Sequence, residues 1–265
     1  SESSWIIEFE KYKKIPEYIL INSSMTLSEF KVIYLWEWGH RLLARLVGLV
    51  CVLPFVIFYL MKKLSKSVIR RSILISILIG IQGYIGWYMV QSGLIDNINV
   101  SQYRLAMHLS IAFLILGSLF LLYLLRSHRA VYSKNEPTFF LKSSSAILLI
   151  LTFIQIILGA FMSGIRAGLS YNTWPLIDGE VIPDGLFAIS IWYLNFFENP
   201  ITIHFDHRML AYILCAIIIT QLIHVSKRFS ASIYMTSSLI LVAIMLYQVI
   251  VGIIAVLYQV PIIIG

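Results

Sequence analysis

The sequence predicts an all-α integral membrane protein, a helical bundle of two similar four-helix halves with six helices present of an expected eight. Three observations predict it. Of 265 residues, 59% are hydrophobic and only 12% charged, with a mean hydropathy of +0.87, far too apolar for a soluble globular domain. Six stretches, at 32–60, 72–92, 104–125, 143–164, 206–225 and 232–260, are each long enough to cross a bilayer, which takes about 20 apolar residues. Two pairs of these stretches carry the same marks at almost the same offset. His40-Arg41 matches His207-Arg208, 167 residues on, and Gln82-x-x-x-Gly86 matches Gln248-x-x-x-Gly252, 166 residues on.

Taken in order, residues 1–31 (with EFEKYKKIPEY) form an outer-side amphipathic segment without the apolar core of a secretory signal. Residues 32–125 make an N-terminal half-bundle of three helices and 126–142 an inner loop. Residues 143–265 make a C-terminal half-bundle of three helices with a long outer loop at 165–205, rich in aromatics of the kind that cover a site or lie in the interface. The fourth stretch has its own Gln155-x-x-x-Gly159, with no match before residue 1. The third, with Arg104 and His108, has no counterpart before residue 265. A duplicated four-helix unit lacking its first and last helices accounts for both. Four helices return the chain to its starting side, so the two units run parallel. Gln-x-x-x-Gly is a pattern of close helix packing with an interhelical hydrogen bond.

The net charge of +7 is distributed as membrane orientation rather than as a nucleic-acid surface. The segments 61–72, 126–142 and 224–232 carry eleven Lys/Arg and one acid, and the rest of the chain carries nine Lys/Arg and twelve acids. The basic segments therefore belong in the cytoplasm or matrix, and both ends of the sequence on the outer side. Cys51 and Cys215 stand singly in apolar helices and read as packing residues.

His40, His108 and His207 each fall near the outer end of an apolar stretch. A buried imidazole is costly in hydrocarbon and is retained for a task, of which axial ligation of haem iron is among the commonest. On the first helix, Glu37, His40, Arg41, Ala44, Arg45 and Gly48 share one face. They offer an imidazole, small residues where a flat macrocycle approaches, and guanidinium groups that pair with propionates. Arg104 and His108 share a face on the third helix, so that His40 and His108 make a bis-His pair. Asp206-His207-Arg208 repeats the arrangement, with His204 as a loop residue near the site. His128 and His224, at the basic ends, read as interfacial.

The segments SEFKVIYLWEWGHRLLAR (28–45), GYIGWYMVQSGL (83–94), SGIRAGLSYNTWPLIDGEVIP (163–183) and NFFENPITIHFDHRMLAY (195–212) resemble the haem A synthase family, in the group shared by mitochondria and alphaproteobacteria. The resemblance runs from about residue 10 to the end of the sequence. It implies eight helices in two halves and an oxidoreductase that converts a ring methyl of haem O to formyl through hydroxylated intermediates, giving haem A for haem-copper terminal oxidases. It further implies His40 and His108 as ligands of the substrate haem and Glu37 as a catalytic carboxylate. His207 becomes one of two ligands of a haem b cofactor, its partner lying outside this sequence. Arg41, Arg45, Arg104, Arg208 and His204 then line the site or hold propionates. The implied location is the bacterial cytoplasmic or mitochondrial inner membrane, with the ligands near the periplasmic or intermembrane face. The implied partners are haem O, haem O synthase, an electron-transfer partner and membrane lipid, with no nucleic acid; homo-oligomerisation is left open. Family members usually have glycine where Ala44 stands, and the paired outer-loop cysteines of some members are absent.

The competing class is a bis-His b-type transmembrane electron-transfer cytochrome. Those proteins usually place haems near opposite membrane faces, whereas the three histidines here lie near one. A prenyl transferase needs acidic clusters for Mg²⁺-diphosphate, and no DxxxD-type cluster occurs. The His-Arg pairs do not suggest a transporter.

Overall fold

A computed structural model describes residues 2–93, 100–127, 136–229 and 232–259. The helices are α1 (Glu2–Tyr12), α2 (Pro16–Leu20), α3 (Leu27–Leu60), α4 (Lys66–Gly93), α5 (Gln102–Arg126), α6 (Phe139–Gly164), α7 (Ala167–Ser170), α8 (Asn195–Glu198), α9 (Pro200–Arg228) and α10 (Ile233–Leu257). Six of them, α3, α4, α5, α6, α9 and α10, are long and apolar enough to cross a membrane, as the sequence predicts. The protein is an all-α, multi-pass membrane protein. The chain divides into two compact units, Ser1–His128 and Arg129–Gly265.

Most of the long helices begin earlier than their apolar stretches, because polar residues start them. Thr26 caps α3 in a reciprocal box: its hydroxyl accepts from the Glu29 amide and the Glu29 carboxylate accepts from the Thr26 amide. At about 1.5 Å per residue, the 34 residues of α3 reach about 51 Å, well beyond the roughly 30 Å of hydrocarbon. Counted from Leu60, position 40 therefore falls at the opposite boundary of the membrane. In the first unit, α1 and α2 fold against the projecting start of α3. Phe9 and Phe30 are buried there with ring centroids 5.0 Å apart, Tyr12 lies 5.1 Å from Phe30, and Trp5 meets Tyr34 edge-on. α4 and α5 pack closely. Between α3 and α4 runs an apolar groove of about 490 Å³, lined among others by Arg45, Gly48, Val52, Ser76 and Gly80.

The second unit is built on α6 and α9. Leu141 packs with Val225 and Phe229, and Leu148 with Leu214 and Ile218, against which Leu241, Val242 and Met245 of α10 close. Polar bonds lie inside this apolar seam: Ser144 donates to the Gln221 side-chain oxygen at 2.8 Å, and the Thr138 hydroxyl, which caps α6, meets His224 Nε2 at 2.9 Å. His224 thus joins two helices, its ring tilted against Phe140 with centroids 4.6 Å apart. His128 lies outside the described residues.

The segment after α6 is a folded cap, where the sequence suggests a loop. Asn195, fully buried, holds it together: its amide donates to the carbonyls of Ile189 and Trp192 and its oxygen accepts from the Ile189 amide. Asn199 donates to Gly185 O and to Asn195 Oδ1, and its oxygen caps α9 by accepting from the Ile201 amide. Pro200 at the first helical position supplies a preset φ, so α9 starts six residues before the apolar stretch at 206.

Candidate haem-binding site

The three histidines stand at similar distances along their own helices. His40 is 20 residues from the end of α3, His108 is 18 from the end of α5 and His207 is 21 from the end of α9. Each unit also contains the same small device. In the first, Gln82 of α4 places its amide nitrogen 3.3 Å from His108 Nε2, and a Cβ added at Gly86 would stand 2.9 Å from His108 Cε1. In the second, Gln155 of α6 places its amide nitrogen 3.2 Å from His207 Nε2, and a Cβ at Gly159 would stand 3.4 Å from His207 Cε1. The glutamine anchors an imidazole from the next helix, and the glycine one turn further makes room for the ring. The sequence reading of Gln-x-x-x-Gly as packing with an interhelical hydrogen bond holds on α4 and α6, with the histidine itself as the bond partner, whereas on α10 Gln248 is exposed and a Cβ at Gly252 would meet nothing within 4 Å. The signal was the spacing: the pattern occurs three times, twice on a helix followed by one that carries a singled-out histidine.

On α3, Glu37 and Arg41 form an exposed ion pair at 3.1 Å, one turn apart. His40 is exposed on the same helix and close enough to His108 for their charges to interact. Glu37 also lies in electrostatic range of Tyr12. Burial pushes the Tyr12 phenol above its ordinary value, the Asn22 amide bonded to it at 2.9 Å opposes that rise, and the Glu17 and Glu37 carboxylates add to it. Arg104 sits over the Tyr88 ring, 4.9 Å from its centroid, so α5 and α4 are also joined beside His108. Arg45 borders the apolar groove, and Ala44 is exposed on the face of α3 beside it.

In the second unit the neighbours of His207 differ from the sequence expectation. His204 is not a loop residue. The early start of α9 puts it inside the helix and buries it, 1% exposed. Arg208, one turn on, donates from Nε to His204 Nε2 at 3.0 Å and from its terminal nitrogens to the carbonyls of Thr173, Pro175 and Leu176 at 2.5–3.3 Å. The guanidinium therefore fastens the cap to α9, whereas its repeat partner Arg41 bonds a carboxylate on its own helix.

These residues suit haem. The macrocycle supplies four ligands of its own, so the protein needs only axial imidazoles, and among the described residues no group of three or more His, Cys, Asp or Glu side chains is placed to cage a bare ion. His108 and His207 each keep a buried Nδ1 without a hydrogen-bond partner, on rings that a β-carbon at the facing glycine would crowd. Two of the three histidines, His40 and His108, are carried by the first unit and the third, His207, by the second.

Comparison with known proteins bears on the same question. The model of the cytochrome oxidase assembly protein family, COX15-CtaA, matches residues 1–265. Haem A synthase of Parvibaculum lavamentivorans is 50% identical over 216 residues, 81% of this chain and 61% of the relative. Haem A synthase of Bartonella tribocorum is 43% identical over 263 residues, 98% of this chain and 73% of the relative. That of Bradyrhizobium diazoefficiens is 43% identical over 266 residues, 99% of this chain and 72% of the relative. The chain thus spans between three fifths and three quarters of their lengths, and the electron-transfer cytochrome is not favoured. By the match over residues 1–265 and the identity to these relatives, the chain belongs to the haem A synthase family.

Proposed function

We propose that this protein oxidises a ring methyl of haem O to formyl, yielding haem A for haem-copper terminal oxidases. The observation that carries the proposal is the histidine seat of the first unit, His108 on α5 held by Gln82 of α4 at 3.3 Å in the same unit as His40 on α3. Two imidazoles give a substrate haem a fixed depth and plane, and orientation of the reacting group is what a protein contributes to such chemistry. Glu37, one turn before His40, is the carboxylate nearest this pair in sequence, and we assign it the role of proton acceptor or stabiliser of positive charge as the methyl loses hydrogen. Arg41 pairs with it at 3.1 Å on the same helix. Arg41, Arg45 and Arg104 are the cations on the same two helices for propionates.

The second unit supplies His207 toward a haem b; such a haem supplies one-electron redox chemistry when bound. The residues that hold the two haems lie near one membrane face, the periplasmic or intermembrane side of a bacterial cytoplasmic or mitochondrial inner membrane. Haem O synthase is a fitting donor of the substrate, and an electron-transfer partner completes the redox balance.

The test is extraction of the pigments from purified full-length protein together with His40→Ala, His108→Ala and His207→Ala. Haem O, or its hydroxylated or formyl derivatives, should be found in the wild type and be lost in the His40 and His108 variants, while His207→Ala removes haem b only. Haem b as the sole pigment of the wild type would refute the proposal.

A further inference from the structure

Axial imidazoles set the depth and plane of a macrocycle but leave it free to turn about the iron axis. A further contact must choose which edge meets Glu37. Haem O differs from haem b by a long isoprenoid side chain on one edge. We infer that the groove between α3 and α4 receives that chain, with Gly48, Ser76 and Gly80 as the residues that leave room for it. This rests on the proposal that haem O is bound and oxidised in the first unit.

The groove is continuous with the candidate site. Arg45 and Gly48, which line it on α3, share the helix face of Glu37, His40, Arg41 and Ala44, and on α4 its wall reaches Gly80, two residues before the Gln82 that meets His108. From Arg45 to Val56 it follows α3 for about 16 Å at about 1.5 Å per residue, away from His40 and into the membrane. That length suits an extended chain of about a dozen carbons joined by bonds of about 1.5 Å. The charge pattern fits as well. Among the described residues Arg45, at the end nearest His40, is the one charged side chain of the lining, and Val52, Val56, Ser76 and Gly80 beyond it are uncharged. Haem O is likewise anionic at its propionates and uncharged along its isoprenoid chain.

The repeat separates the two units at these positions. The offsets that relate them, 167 for α3 and α9 and 166 for α4 and α10, put Cys215 at the place of Gly48, Val242 at that of Ser76 and Leu246 at that of Gly80. Each small residue of the groove thus has a larger counterpart in the unit to which we assign haem b, a haem without an isoprenoid chain. There Val242 and Met245 close on the cluster of Leu148, Leu214 and Ile218. In the first unit a Cβ at Gly48 would meet Ile79 at an ordinary 3.7 Å, and one at Gly80 would meet nothing within 4 Å among the described residues. Neither glycine is therefore needed to let two helices touch, the usual reason for a small residue between membrane helices. Lipid tails are as apolar as the groove, so it gains little by burying a chain as such. It acts by shape, holding one edge of the macrocycle and so fixing its rotation above Glu37.

The experiment uses full-length protein purified with its haem, comparing wild type with Gly80→Leu and with the double variant Ser76→Val, Gly80→Leu, which fill the groove. Gly117→Leu, at an open position of α5 outside the groove, is the control and should match wild type. Filling should lower kcat/KM for haem O about tenfold or more, the scale on which a misplaced substrate loses rate. Inhibition of that reaction by added haem b, which has no chain to place, should stay as in wild type, as should the content of bound haem. Unchanged kcat/KM in both filled variants overturns the inference, whether the groove then holds a lipid acyl chain or nothing. An equal loss of haem O turnover and haem b inhibition also overturns it, since that marks damage to the histidine seat. A second measurement needs no variant: a haem O analogue with a diazirine at the end of its isoprenoid chain, irradiated on wild type, should label residues within 48–56 or 76–80. Labelling confined to lipid or to other helices refutes the inference. A wild type that neither binds nor oxidises haem O removes the proposed function along with it, whereas normal turnover with indifferent filled variants removes the inference alone.

Discussion

Gly86→Ala is the sharpest single perturbation, because the structure gives both its cost and its control. A Cβ at position 86 would stand 2.9 Å from His108 Cε1, inside the distance that carbon atoms tolerate, so the ring must retreat by about half an ångström or more. His108 is held from the other direction by Gln82, so retreat also stretches that bond. Overpacking of this kind costs about 1–3 kcal/mol. Against it stands the gain from replacing glycine by alanine inside a helix, about 1 kcal/mol. Gly83 on the same helix isolates that gain, since nothing lies within 4 Å of a Cβ built there. Thermal denaturation in detergent, with the low-spin absorption read in parallel, should therefore find Gly83→Ala as stable as wild type or more so, with its spectrum intact. Gly86→Ala should melt lower and show a weakened His108-dependent band. Gly159→Ala, at 3.4 Å, should fall between the two. Equal melting and equal spectra for Gly86→Ala and Gly83→Ala would refute the seat as a steric device.

Three further outcomes are expected. Glu37→Gln keeps the size and removes the charge, so haem content should persist while methyl oxidation slows at least tenfold in a turnover assay; unchanged turnover would return Glu37 to a plain ion-pair partner of Arg41. Cysteine at Ser67, in the first turn of α4 within the basic segment 61–72, should resist an impermeant thiol reagent from the periplasmic side, and ready labelling there would invert the topology. Arg208→Leu should release the cap, since four acceptors lose their donor at once, and limited proteolysis at 171–185 should become several-fold faster.

What the sequence made legible follows from which forces act along the chain and which act across it. The six spans were readable because membrane burial needs a continuous apolar run, a one-dimensional property. Their starts were not, because Thr26, Asn199 and Pro200 begin helices through local polar geometry that hydropathy ignores. His40, His108 and His207 could be singled out because an imidazole among apolar residues is rare, and the similar distance of each along its own helix is a simple count. The pairing of Gln82 with His108 was hidden by 26 residues of separation, and that of Gln155 with His207 by 52. The folded cap was hidden for the same reason: Asn195 and Asn199 look like ordinary loop residues until the carbonyls of Gly185, Ile189 and Trp192 are seen around them.

The His-Arg pairs carry the limit of repeat reasoning furthest. His40-Arg41 and His207-Arg208 are the same two letters at similar distances along their own helices, and the histidines fit the same chemistry. The arginines do different work, and the reason lies one turn away in each case. Four residues before Arg41 stands Glu37, an acceptor with full charge, so the guanidinium pairs within its own helix on an exposed face. Four residues before Arg208 stands His204, a neutral acceptor, and beyond it lie the carbonyls of Thr173, Pro175 and Leu176 in the cap segment. A guanidinium with five donors serves either surrounding, and the choice is made by the acceptor that the preceding turn supplies. The two units therefore share the histidine and differ in what the neighbouring cation binds, and Glu37 is a carboxylate that the second unit does not repeat, in keeping with the proposal that the substrate is oxidised in the first unit.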